Sequence, residues 1–256
     1  MKIGGSVITH KDENLLKAKE DMIRDIVKEI KSSKNDRLVF VHGAGPFGHK
    51  LVTDYGIKNG LYSEKDIEGF VRTHNSVEDL NKVIANTFRE EGLLGFPVQP
   101  SACIVQDNKK IISFDISIIK SLLDMDVIPI MYGDVVIDRS LKGSVVSGDA
   151  VLAYLAKHLN VDKILLGSDV DGIFTADPKR NPDAVLIERI DSSNFDEVIE
   201  KVEGAKTVDV TGGMKKKLLE MKENLNNKKI IIFNANKQGN VSKALLGEEV
   251  GTTIEF

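Results

Sequence analysis

Short apolar runs alternate with amphipathic stripes along almost the whole chain, and this alternation restricts the architecture more than any other feature. Leu15, Leu16, Met22, Ile23, Ile26, Val27 and Ile30 share one helical stripe, and the run Leu38–Val41 follows as a strand. Ile67, Phe70, Val71, His74, Val77, Ile84 and Phe88 mark a long amphipathic helix. Short strands are expected around Pro97–Gln99, Cys103–Val105 and Lys110–Ser113, then a helix over Ile116–Met125 and a strand over Val127–Tyr132. A hairpin with arms Val135–Asp138 and Ser144–Ser147 comes next, then a helix over Ala150–Leu159 and a buried strand over Lys163–Leu166. Met214, Leu218, Met221 and Leu225 form the last helical stripe, and Lys229–Phe233 the last core strand. Strands interleaved with helices call for a mainly parallel sheet covered on both faces. The expected class is α/β, a three-layer αβα sandwich with a mainly parallel central sheet and edge hairpins.

At 256 residues the chain can bury a sizeable core. No flexible linker interrupts it, so two lobes, 1–160 and 161–256, are expected to form one two-lobed unit. The net charge of −4 gives no polyanion surface, and no nucleic-acid partner is expected. The single cysteine, Cys103, excludes an intrachain disulfide. With no secretory apolar region at the start and no apolar run near 18 residues, the expectation is a cytoplasmic protein without a membrane partner. The five histidines show no ligand spacing, so no metal ligands are expected from the protein.

Four turns rich in glycine and polar residues follow or precede the expected elements, and in open α/β sheets ligands bind outside the carboxyl ends of strands. Lys2-Ile3-Gly4-Gly5-Ser6 sets an ammonium beside a bed of amides, although an ordinary strand-end turn has the same composition. Gly43-Ala44-Gly45-Pro46-Phe47-Gly48-His49 follows the strand Leu38–Val41 and matches G-x-G-x-x-G. A dinucleotide site needs an acidic strand end roughly 20 residues later, but Glu64, Asp66 and Glu68 sit on a helix. Pro46 removes one N–H, leaving the other amides and His49 for any anion. Gly167-Ser168-Asp169-Val170-Asp171-Gly172 carries two aspartates that suit a metal, ribose hydroxyls or a plain Asp-Gly turn. Asp209-Val210-Thr211-Gly212-Gly213 opens a helix whose first turns hold Lys215, Lys216 and Lys217, against the macrodipole. An anion there would offset that cost; a solvated face with Glu220 paired to Lys216 is the alternative.

Taken together these are glycine-rich phosphate beds, lysines and an aspartate loop, without a covalent nucleophile, a Walker loop or a protein-kinase signature. Phosphoryl transfer fits that inventory, because it depends on positioning and charge neutralisation.

In order and over the whole chain, Lys2-Ile3-Gly4-Gly5-Ser6, His42-Gly43-Ala44-Gly45, Ser147-Gly148-Asp149, Ser168-Asp169-Val170-Asp171-Gly172 and Thr211-Gly212-Gly213-Met214 with Lys217 resemble the amino acid kinase superfamily. Within it, Phe47-Gly48-His49, Gln99-Pro100-Ser101 and Tyr132-Gly133-Asp134-Val135 are similar to the isopentenyl phosphate kinases. The resemblance implies phosphorylation of isopentenyl phosphate by ATP with Mg²⁺, in isoprenoid biosynthesis, by a homodimer. It also implies roles. Lys2, Gly4, Gly5 and Ser6 would hold the ATP phosphates, and Lys11 would stabilise the transition state. Ala44 and Gly45 would lie between the acceptor and donor phosphates. His49 would hydrogen-bond the acceptor phosphate, with Gly48 in the same loop, and Gly148 would also reach the acceptor. Asp169, Asp177 and Lys179 would face the nucleoside, Gly213 and Lys217 the ATP phosphates, and Asp149 would orient the lysines.

The chemistry of such a reaction is coherent. Acceptor and donor are both anions, so cations and amides must bring them together, and an ionised phosphate oxygen needs no general base. Mg²⁺ would be held by phosphates and water. An apolar tail needs a slot, for which the helix carrying Phe70, Val71, His74 and Val77 is the expected wall. Two features depart from the pattern: Pro46 stands where the family commonly has serine, and the first strand is only Met1–Ile3, as a start assigned a few residues late would produce. Two alternatives stay open. One is a related kinase for uridylate, carbamate, acylglutamate (with Arg72 for its carboxylates) or a phosphonate. The other is a non-catalytic nucleotide-binding module.

Overall fold

The computed structural model of the chain describes residues 1–10, 16–34, 37–176, 178, 181–204, 218–219, 221–223, 225 and 227–256. Two compact units result, Met1–Leu155 and Ala156–Phe256.

In the first unit four parallel strands lie side by side: β1 (Lys2–Ile3), β2 (Phe40–His42), β6 (Ile128–Tyr132) and β3 (Gly95–Pro97), with β3 on the edge. Every residue of β2 and β6 is buried, as expected for parallel strands covered on both faces. The register pairs Lys2 with Val41 and Ile3 with His42, so β1 and β2 end level with one another. Met1 is buried beside them, its amino group donating to the Val39 carbonyl at 2.8 Å, and burial lowers its pKa to about 5.

Helix α2 (Glu20–Ser32) buries Ile23, Ile26, Val27 and Ile30. The stripe was expected to begin earlier, but Leu16 precedes the helix and is exposed, and Leu15 lies outside the described residues. Helix α4 (Glu64–Glu90) opens with a capping box: the Asp66 amide donates to Ser63 Oγ at 3.2 Å and the Ser63 amide to Asp66 Oδ2 at 2.8 Å. Its buried face is Gly69, Thr73, Val77, Leu80, Asn81, Ile84, Thr87 and Phe88.

That face corrects the expected stripe. Ile67 and Val71 are exposed, because each lies about 200° around the helix from Gly69 at 100° per residue. Gly69 sits on the inner line because Tyr55 presses there, and a Cβ at Gly69 would be 2.3 Å from that of Tyr55. The expected wall therefore loses Val71, while Phe70 packs against the buried cluster of Ile57, Leu61 and Val135.

The hairpins gather into a second sheet, in the order β5 (Lys110–Phe114), β4 (Ile104–Asp107), β7 (Asp134–Asp138) and β8 (Lys142–Val146). Buried Asp138 holds it together, accepting from the amides of Asn108, Lys109, Ser140 and Leu141 and from Ser144 Oγ, at 2.8–3.1 Å. Burial pushes its carboxyl up, and the bonds from Lys109, Ser144, Leu141 and Asn108 outweigh that and hold it below the usual range.

In the second unit β9 (Lys163–Ser168) pairs parallel with β13 (Lys229–Asn234), β13 antiparallel with β14 (Thr252–Glu255), and β14 parallel with β12 (Arg189–Asp191). A short antiparallel pair, β10 (Ile173–Phe174) and β11 (Leu186–Ile187), completes its described strands. Leu218 and Leu225 of the last stripe are buried, and Met214 lies outside the described residues.

Candidate active site

The four parallel strands of the first unit deliver their polar turns to one edge of the sheet. β1 runs into the one-turn helix α1 (Gly5–Ile8) and β2 into helix α3 (Pro46–Asp54). Where they meet, backbone lies on backbone. A Cβ at Gly5 would sit 2.3 Å from the Gly45 nitrogen, and one at Gly43 would sit 2.6 Å from the Gly5 nitrogen. Gly45 takes φ +52°, a conformation that L side chains rarely adopt, with Thr9 Oγ1 directly beneath it. Thr9 is fixed in turn by a 2.7 Å bond from its hydroxyl to the Gly5 carbonyl. This contact demands glycine at the positions where the two glycine motifs place it.

Pro46 occupies the first helical position of α3. The amide it lacks is one of the four that a helix start leaves unpaired within the helix, and its fixed φ suits that position. The loop therefore loses one donor and gains a rigid entry. His49 lies in the first turns of α3 with an exposed side chain, its amide bonded to the Gly45 carbonyl at 3.0 Å. His42, at the end of β2, is buried. Nδ1 lies 3.2 Å from the Gly43 carbonyl, Nε2 lies 3.2 Å from Asn81 Oδ1, and the ring stacks on Tyr132 at 5.4 Å. Desolvation lowers its pKa to about 4, so the ring is neutral at pH 7 and can donate from one nitrogen only.

Lys2 Nζ meets Asp149 Oδ1 at 2.7 Å. Asp149 stands in the first turn of α7 (Gly148–His158), whose start Ser147 secures by accepting from the Ala150 amide at 3.1 Å. Gly148 is buried against β2, since a Cβ there would lie 3.0 Å from the His42 carbonyl. On the other side a Cβ at Gly133 would lie 3.0 Å from the Gly148 nitrogen. A Cβ at Gly48 would meet Ala44 at 2.8 Å and Val77 of α4 at 3.3 Å. Lys2, Gly4, Gly5, Gly43, Ala44, Gly45, Gly133, Gly148 and Asp149 thus form one continuous surface built from four turns. Lys19 adds a bond from Nζ to the Ser6 carbonyl at 3.0 Å.

At the end of β3, Gln99 and Ser101 meet Asp134 and His74. His74 Nδ1 is 3.1 Å from Asp134 Oδ1, the Ser101 amide donates to Asp134 Oδ2 at 3.3 Å, and Gln99 Nε2 donates to Ser101 Oγ at 2.7 Å. The Asp134 bond raises the His74 pKa against the opposing effect of burial. Arg72, the candidate for carboxylate recognition, is engaged by Glu68 at 2.6 Å on the exposed side of α4.

In the second unit Asp169 is half-buried within the turn that closes β9, where the Val170 amide donates to Ser168 Oγ at 3.3 Å. Asp171 pairs with Lys237 at 2.7 Å and accepts from Asn234 Nδ2 at 3.1 Å; the Lys237 contact in particular holds its carboxyl below the usual range. Lys11, Asp177, Lys179, Gly213 and Lys217 lie outside the described residues. Among the described residues, no group of three or more His, Cys, Asp and Glu is placed to hold a metal ion.

Thr9, Lys19 and Asn81 stand in no motif of the sequence, and no local pattern pairs His42 with Asn81 or His74 with Asp134. Most of their partners lie more than ten residues away along the chain.

The model of the amino acid kinase family matches residues 1–234. Isopentenyl phosphate kinase of Methanothermobacter thermautotrophicus is 39% identical, over 99% of this chain and 97% of its own length. That of Methanocaldococcus jannaschii is 35% identical, over 100% and 98%. A solved isopentenyl phosphate kinase superposes with a TM-score of 0.81 at 36% identity, covering 99% of this chain and 98% of the other. Likeness at this level over the full length, on top of glycine turns packed backbone to backbone, shows that the chain belongs to the amino acid kinase family and, within it, to the isopentenyl phosphate kinases.

Proposed function

We propose that this chain transfers the γ-phosphoryl group of ATP to isopentenyl phosphate, giving isopentenyl diphosphate and ADP by direct in-line displacement. The observation that carries the reading is the seam of Gly5 against Gly43–Gly45, with Lys2 held beside it by Asp149 and His49 on the adjoining helix start. The seam brings amides of two turns together, and Lys2, two residues before Gly4, adds an ammonium paired with Asp149; two mutually repelling phosphates require such groups.

In this reading Lys2, Gly4, Gly5 and Ser6 hold the donor phosphates, and Ala44 and Gly45 lie between donor and acceptor. Gly48, His49 and Gly148 hold the acceptor phosphate. Asp169, with Asp177 and Lys179, faces the nucleoside. Lys11 stabilises the transition state, and Gly213 and Lys217 hold the ATP phosphates. The unit Met1–Leu155 is assigned to the acceptor and Ala156–Phe256 to the nucleotide. Mg²⁺ would neutralise the β- and γ-phosphates. Its donors would be the phosphates themselves and water.

A uridylate acceptor needs base contacts, yet Phe70 is committed to an aliphatic cluster; an acylglutamate acceptor needs a free arginine, yet Arg72 is paired with Glu68. The single free cysteine, Cys103, favours a reducing compartment, and we place the reaction in the cytoplasm. Exposed Leu94 and Phe96, at the edge strand β3, support pairing of two copies into a homodimer. The test is ADP release from Mg²⁺-ATP with isopentenyl phosphate, dimethylallyl phosphate, uridylate, acetylglutamate and carbamate. Turnover should be fastest with isopentenyl phosphate, and a faster reaction with any of the last three refutes the assignment.

A further inference from the structure

The carboxylate of Asp134 is fully buried, and among the described residues its one cationic partner is His74. Both carboxylate oxygens face His74 Nδ1, at 3.1 and 3.3 Å, while the amides of Val135 and Ser101 donate at 2.8 and 3.3 Å. Asp134 thereby ties α4, the turn after β3 and the start of β7 at one atom group. Two contacts connect this knot to the site. Asp134 directly follows Gly133, which abuts Gly148, and Val77, one helical turn beyond His74, abuts Gly48. One short stretch of α4 therefore touches the Gly45–His49 loop and braces the Gly133–Gly148 turn.

We propose that His74 is a positioning residue, which through Asp134 sets the gap between the Gly45–His49 loop and the Gly148 turn and so governs affinity for the acceptor phosphate. This rests on the acceptor assignment given above. The groups around the pair are known. Glu78 and Lys82 act on His74 from α4, the first favouring and the second opposing its charge. Gln99 Nε2 lies 3.3 Å from His74 Nε2, and Cys103 and Tyr132 feel the field of Asp134. His74 is cationic below its raised pKa; above it the ring is neutral, and Asp134 keeps only a neutral donor.

The experiment compares full-length wild type, His74→Ala and His74→Gln in steady-state ADP release from pH 5.5 to 9. His74→Ala should raise KM for isopentenyl phosphate about tenfold, as a sub-ångström misplacement does, while KM for ATP stays within about twofold. His74→Gln, whose amide N–H can still reach Asp134, should restore most of the acceptor affinity at neutral pH. The wild-type to His74→Gln ratio of kcat/KM should fall as pH rises through the His74 ionisation. Titration of the acceptor itself is common to both proteins and cancels. A pH-independent ratio, an unchanged acceptor KM in His74→Ala, or equal losses for ATP and acceptor would each overturn the proposal. If wild type releases no ADP with isopentenyl phosphate, the acceptor assignment has failed instead. Calorimetric titration of inorganic phosphate into wild type and His74→Ala then decides, and equal affinities refute the role of His74.

Discussion

Gly5→Ala probes the seam directly. The new methyl would start 2.3 Å from the Gly45 nitrogen and 2.7 Å from its Cα, both backbone atoms that no rotamer change can move. Reaching ordinary contact near 3.5 Å requires a retreat of about 1 Å. Overpacking of this kind costs about 1–3 kcal/mol, which lowers Tm by roughly 2–12 °C in a protein of this size. The same displacement would part the Gly5 and Gly45 amides, which the proposed function sets on the donor and between the two phosphates, and an error of about 1 Å in a reacting geometry costs about 100-fold in kcat/KM. Gly56→Ala is the control: Gly56 has φ +71° and no atom within 4 Å of an added Cβ. It should lose about 1–2 kcal/mol through backbone strain and keep its kcat/KM. Urea denaturation and ADP release on both variants separate the two effects. The reasoning is refuted if Gly5→Ala retains wild-type kcat/KM, or if Gly56→Ala loses as much activity.

His49→Ala should remove a hydrogen bond to a charged group, about 1.5–3 kcal/mol, and lower kcat/KM for isopentenyl phosphate by roughly 10- to 150-fold; an unchanged value excludes the role. Asp138→Ala removes the buried carboxylate shared by the amides of Asn108, Lys109 and Leu141 and by buried Ser144 Oγ, and should destabilise the fold by about 3 kcal/mol in urea melts. Because the Asp138 carboxyl titrates below its usual range, the difference from wild type should hold from neutral pH down to about 4 and shrink as pH falls further. A gap that widens in acid contradicts the hydrogen-bond account. Phe96→Asp should shift the protein from dimer to monomer in light scattering, and a persistent dimer places the interface elsewhere.

Strands and turns were legible because burial on both faces leaves continuous apolar runs such as Ile128–Tyr132, and because glycine clusters end them. The rotation of α4 was not. Periodicity follows the large apolar residues, whereas the buried line runs through Gly69 and Thr73, where closeness to Tyr55 matters more than hydrophobicity. That Gly5 and Gly43 touch needed the register of β1 on β2, which pairs residues about 40 apart. The ion pair of Lys2 with Asp149 spans 147 residues and was reachable only through family resemblance. His74 was read as part of an apolar wall, since nothing near it in the chain announces Asp134 as its partner.

The pairing of Lys2 with Asp149 also changes what ligand binding means at that lysine. Its ammonium is largely shielded, while the carboxylate is 61% exposed, so the pair opens toward solvent on the acidic side. A lysine side chain carries about 2 kcal/mol of rotamer entropy, and here most of it is already lost in folding. On the proposed function, capture of a phosphate at Lys2 would be an exchange of anions at a preorganised cation. A doubly charged phosphate would compete with Asp149 where a simple carboxylate has little advantage, and departure of product would let Asp149 reclaim the lysine for the next turnover.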